Sequence, residues 1–128
     1  MYLRGIRGAT TVEQNNADEI LAATSELLQA IVEANDFHPE DIGSVFITVT
    51  EDITATFPAR AIRTLIGWEL VPLMCSLEVP VENALPKCIR LMVQVNTTKT
   101  QAEINHVYLK EAKALRPDIV KLTNEATR

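Results

Sequence analysis

The clearest alternation of apolar and polar positions lies at Cys88-Ile89-Arg90-Leu91-Met92-Val93-Gln94-Val95-Asn96, a run without glycine or proline. A two-residue period puts Ile89, Leu91, Val93 and Val95 on one face and Cys88, Arg90, Met92 and Gln94 on the other. β-Branched and long apolar side chains suit a pleated surface, so the run predicts a strand. Both faces are largely apolar, which predicts a place inside a sheet. Tyr2–Thr11 shows the same period, with Leu3, Gly5, Arg7 and Ala9 opposite Tyr2, Arg4, Ile6 and Gly8. Ser44–Thr50 and Leu70–Leu77 predict two further strands, the second at an edge or near its own start because Pro72 lacks an N–H.

The period changes after Asn16. Ile20, Leu27, Leu28 and Ile31 share one helical face, widened by Leu21 and Val32, and predict a core-covering helix to about Asn35. Asn16 can cap its start, with Glu19 three residues on. Phe57–Gly67 predicts a short helix, with Pro58 at its first position and Gly67 beyond its end. Residues 97–103 read as a polar crossover with a helical turn. In Ile104–Leu115, His106-Val107-Tyr108-Leu109 has a strand pattern and Lys110–Leu115 has helix propensity; the segment is read as a strand. The expectation is an α/β or α+β domain with a mixed sheet of about five strands covered by helices.

Composition adds bounds. The 128 residues fit one domain, and a hydrophobic share of 47% with only 5% aromatic implies a core packed by aliphatics. A net charge of -5 argues against general nucleic-acid binding but not against a small cationic pocket. Two cysteines, Cys75 and Cys88, form no zinc or disulfide pattern. The N-terminus has no signal-peptide pattern, and no apolar run approaches the ~18 residues of a membrane span, so a cytoplasmic location is expected.

The candidate chemistry rests on arginines. A guanidinium cannot shed its charge, so Arg90 among apolar neighbours requires a carboxylate of the chain or a ligand anion. Glu78, at the end of an apolar run, is the natural internal partner, and both readings stay open. Gly5 and Ala9 leave room beside Arg7 on its face. Arg60 and Arg63, three apart, share a helix face that a solvated surface explains equally well. Dinucleotide, P-loop, metal-binding histidine and nucleophile-elbow patterns are all missing. Planar forks suit carboxylates and phosphates. Several arginines without a general base would bind a small polyanion and act on it by restraint and charge stabilisation.

A set of short runs spans nearly the whole chain: Arg4-Gly5-Ile6-Arg7-Gly8-Ala9-Thr10-Thr11, Phe57-Pro58-Ala59 with Arg63, Gly67-Trp68, Cys75 and Glu78, Lys87-Cys88-Ile89-Arg90, His106-Val107-Tyr108-Leu109 and Leu115-Arg116-Pro117-Asp118. Taken in this order, they resemble the AroH-type monofunctional chorismate mutases. The resemblance implies a homotrimeric pseudo-α/β barrel with active sites at subunit interfaces. The implied reaction is the Claisen rearrangement of chorismate to prephenate, at the branch toward phenylalanine and tyrosine, with no cofactor or metal. By the same resemblance Arg90 stabilises the ether oxygen, Arg7 and Tyr108 hold the enolpyruvyl carboxylate, and Glu78 with Cys75 holds the ring hydroxyl. Phe57, Ala59 and Leu115 form the wall, and Arg63 and Arg116 add positive potential near the mouth. Arg60 and Met74 complete the substrate-binding set as departures, since lysine is usual at the first position and threonine common at the second. One chorismate mutase domain over 1–128 is expected, with a loosely held tail from about residue 118. Two other functions compete: a trimer that senses chorismate or prephenate without turnover, and a RidA-like enamine deaminase of related architecture, whose motifs are not found here.

Overall fold

The computed structural model describes residues 1–115. Its strands are β1 (Tyr2–Thr11), β2 (Ile42–Val49), β3 (Leu73–Leu77), β4 (Cys88–Thr97) and β5 (Val107–Tyr108). Its α-helices are α1 (Ala17–Asn35) and α2 (Ala59–Arg63), with short 3₁₀ turns at Pro39–Asp41, Gln101–Glu103 and Lys110–Ala114. The five strands form one mixed sheet in the order β3-β2-β4-β1-β5. The central β4 runs antiparallel to both β1 and β2, while β3 and β5 lie parallel to their neighbours at the edges. The expected mixed five-stranded sheet is thus present, with the arginine-bearing strand at its middle.

Helix α1 forms for the reasons its sequence suggests. The Asn16 side chain accepts the Glu19 N–H at 3.1 Å, and Asp18 and Glu19 sit at the positive end of the helix dipole. Ile20, Leu27, Leu28 and Ile31 are buried and pack with Ile6, Val45, Ile47, Ile89, Leu91, Val93 and Val95 of the sheet. Gly8 allows this close approach, since a Cβ there would lie 2.5 Å from Ile31 Cδ1. The Phe37 and Trp68 rings meet edge to face at 6.5 Å and extend the core past the end of the helix. No helix among the described residues is long and apolar enough to cross a membrane.

The structure makes one expectation more specific and corrects two others. First, helices cover only one face of the sheet. On the other, the 3₁₀ turn at Lys110–Ala114 shields Ala9 and Cys88, while Phe46 and Met74 remain 42% and 63% exposed. Arg90 is therefore not enclosed: its side chain keeps 47% exposure, because β4 is interior to the sheet but open on that face. Second, the strand expected over Ile104–Leu115 is confined to Val107–Tyr108, with two ladder pairs to Gly8 and Ala9. The helix propensity of Lys110–Ala114 prevails beyond it, after a left-handed Lys110 at φ 53° turns the chain. Third, the helix expected over Phe57–Gly67 is α2 alone, and β3 begins at Leu73, after Pro72. The tail from residue 118 lies outside the described residues.

Candidate active site

Strand register assembles the site. Opposed residues of paired strands point to the same face, and β1 and β4 pair Arg7 with Met92 and Ala9 with Arg90. The β2–β4 ladder sets Thr48 against Arg90 and Phe46 against Met92. The short β5 brings Tyr108 beside Ala9. Together these residues line a cleft of about 180 Å³ on the open face, with Arg7, Arg90, Thr48, Phe46, Met92 and Tyr108 around it. Ligand sites usually enclose about 300–1,000 Å³, so this cleft is smaller than a usual ligand site.

Glu78, just past β3, completes the constellation. Its Oε2 lies 3.7 Å from Arg90 Nε and accepts a hydrogen bond from the Thr48 hydroxyl at 2.7 Å. The first contact is an ion pair beyond hydrogen-bond range; the second is a short charge-assisted bond. Glu78 balances part of the Arg90 charge, as the ion-pair reading expects, and the guanidinium still faces open space. Arg7 is fixed from behind: its backbone N–H donates to His106 Nδ1 at 2.9 Å, which ties β1 to the approach to β5.

Cys88 lies two residues before Arg90 on the same face of β4, 3% exposed, in a small cluster with Ala9 and Ala112, against which Tyr108 and Leu115 pack. Burial pushes its thiol above the ordinary value, and the charge of Arg90 opposes this more weakly. Its backbone N–H donates to Thr50 Oγ1 at 2.9 Å, and the Asp52 carboxylate accepts the Lys87 N–H at 2.9 Å. These contacts anchor the first residues of β4 and so the position of Arg90.

The remaining expected residues fall elsewhere in the protomer. Phe57, Arg60 and Cys75 line a second cleft of about 720 Å³ beside the start of α2. Cys75 pairs with the buried Ile47, so its thiol points to the helix side, away from Glu78. Arg60 donates to Thr56 Oγ1 at 2.7 Å. Ala59 and Arg63 stand on α2, the first packed against the core and the second exposed. Met74 stands on the open face, in register with Phe46. Arg116 lies outside the described residues. Three residues named around the cleft were not singled out as site residues by sequence reasoning, Phe46, Thr48 and Met92; each looks like an ordinary strand residue until the ladders set it beside Arg7, Arg90 or one another. No three His, Cys, Asp or Glu side chains among the described residues come together as metal ligands.

Comparison with known proteins agrees with this architecture. The family model described as chorismate mutase type I matches residues 3–119. The chorismate mutase AroH of Bacillus subtilis (strain 168) is 48% identical over 119 residues, 93% of this chain and 94% of that protein. The chorismate mutase AroH of Thermus thermophilus is 48% identical over 118 residues, 91% of this chain and 96% of its own. A solved chorismate mutase from Clostridium thermocellum superposes with a TM-score of 0.84 at 50% identity, covering 87% of this chain and 98% of that one. With its sheet, its arginine-lined cleft and these matches over most of its length, the chain belongs to the type I chorismate mutase family.

Proposed function

We propose that the protein rearranges chorismate to prephenate on the route to phenylalanine and tyrosine, acting in the cytoplasm as a homotrimer of single-domain chains. The observation that carries this reading is the convergence of Arg7, Arg90 and Tyr108 on one cleft, with Glu78 3.7 Å from Arg90. Chorismate has two carboxylates, a ring hydroxyl and an enol ether. As the ether C–O bond breaks ahead of C–C formation, negative charge gathers on the ether oxygen. Arg90 meets that charge, and a fixed cation shielded from water stabilises it more in the transition state than in the ground state. Arg7 and the Tyr108 hydroxyl hold the enolpyruvyl carboxylate, and Glu78 accepts the ring hydroxyl. Bond making and breaking occur within the substrate, so no side chain has to transfer a proton.

The reading as a trimer is supported by what one protomer lacks. The cleft with Arg90 shares no lining residue with the cleft of Phe57, Arg60 and Cys75. The open sheet face carries exposed Phe46 and Met74, an apolar surface that water disfavours. Packing this face against a neighbour buries both side chains and brings the neighbour's Phe57, Ala59, Arg60 and Arg63 over Arg90. Leu115 of the first protomer, packed against Ala9, Cys88 and Ala112, adjoins the same site.

The test is the loss of chorismate ultraviolet absorbance on adding purified protein, with prephenate confirmed by acid conversion to phenylpyruvate. Arg90→Ala is expected to lower kcat/KM by about 10²–10³ or more, the usual loss when a donor to a developing oxyanion is removed. Binding of chorismate without turnover by the unmodified protein would instead assign it as a sensor.

A further inference from the structure

Beyond the residues assigned to substrate above, we infer that Thr48 is a positioning residue, holding the Glu78 carboxylate in the orientation that serves the substrate. The inference rests on the proposed role of Glu78. Thr48 stands on β2 opposite Arg90, lines the same cleft as Arg7 and Tyr108, and donates its hydroxyl to Glu78 Oε2 at 2.7 Å. Arg90 Nε reaches the same oxygen only at 3.7 Å. A carboxylate beside a guanidinium ordinarily closes into a two-pronged fork, which would take up the charge of Arg90 and both oxygens of Glu78. The Thr48 hydroxyl prevents this closure. It holds Oε2 at the β2 side and keeps the guanidinium outside hydrogen-bond range. Among the described residues Oε1 accepts no hydrogen bond, so it remains available to a substrate hydroxyl.

The placement also explains why the device uses β2. Glu78 follows the end of β3, where its backbone N–H donates to Val49 O at 2.8 Å, so its main chain is fixed by the residue next to Thr48. Its side chain is anchored by Thr48 itself. Backbone and side chain of Glu78 are therefore both set by β2, the strand that also pairs with Arg90. The spacing between carboxylate and guanidinium is fixed through one ladder.

The test is a double-mutant cycle followed by chorismate turnover. Thr48→Val keeps the shape and removes the donor; it is expected to lower kcat/KM about tenfold or more, the scale of one hydrogen bond to a charged group. Thr48→Ser, which retains the hydroxyl, should recover most of the loss. Because Thr48 acts through Glu78, the loss should vanish when Thr48→Val is added to Glu78→Ala. Unchanged turnover in Thr48→Val overturns the inference, as does a loss that persists undiminished in the double variant. Full activity in Glu78→Ala would overturn the assigned role of Glu78 first, and this inference with it. If Thr48→Val does not fold, Thr48→Ala enters the same cycle with the same outcomes.

Discussion

Single side chains in this protein are constrained by what lies directly beneath them. Gly8 is the sharpest case on the core side. A Cβ there would lie 2.5 Å from Ile31 Cδ1 and 3.2 Å from Leu27 Cδ1, both from side chains buried beneath α1. Gly8→Ala is expected to cost about 1–3 kcal/mol, the usual range for overpacking a filled core, measured by denaturant unfolding. Cys88 is the corresponding case beside the site. Burial raises its thiol above the ordinary 9.0, against a smaller opposing pull from Arg90. Above pH 9.0 the unfolded chain loses this proton while the folded chain retains it, so the folded state binds more protons and stability falls as pH rises. This contribution is intact below pH 9.0 and disappears through the raised folded value. Thermal unfolding of the wild type should therefore decline more steeply on the alkaline side than that of Cys88→Ala; parallel curves would mean that the thiol is not held protonated.

Among the elements, long periodic runs were legible and short ones were not. Tyr2–Thr11 and the run from Cys88 alternate over enough residues to declare a strand, and Asn16 with the Ile20, Leu27, Leu28 and Ile31 face declares α1. β5 has only two residues, too few for a period, and most of its positioning comes from elsewhere. The Asn35 side chain donates to Ile31 O and Asn105 O and accepts the Asn105 N–H at 2.8 Å, tying the end of α1 to the residues before Tyr108. Leu109 N–H then donates to Ala9 O at 2.9 Å. No local pattern reveals a clamp between residues 35 and 105, or that one sheet face is left open; both are tertiary facts. Asn35→Ala removes the clamp while leaving the β5 ladder in place. It is expected to lower stability by about 2 kcal/mol and to speed hydrogen exchange at the Leu109 amide more than within β4. Equal exchange at both places would show that the ladder alone holds Tyr108.

At the scale of the whole molecule, the candidate residues of the described chain divide between two clefts with different linings. The open sheet face presents Arg7, Arg90 and Tyr108, and the region of α2 presents Phe57 and Arg60 around a different cleft. The resemblance in sequence named all five positions, four by the family's own residue and Arg60 as a departure that keeps the charge; it could not say which chain supplies each, because that depends on assembly. If sites form between subunits, two inactive variants with defects on different surfaces should complement each other. Arg90→Ala disables the sheet face. Phe57→Asp sets a carboxylate against the substrate dianion, at a side chain 68% exposed in the protomer, so the fold should tolerate it. In a closed ring of three, each site takes its sheet face from one chain and its α2 wall from the next. After dissociation and equal mixing, a site is intact only when a Phe57→Asp chain supplies the face and an Arg90→Ala chain supplies the wall, so about one site in four should be active in random reassembly. Recovery to about a quarter of wild-type turnover would place the two surfaces on opposite sides of one interface. No recovery after demonstrated subunit exchange would mean that each protomer completes its own site, and Arg90 would then have to meet its substrate without the neighbour's wall.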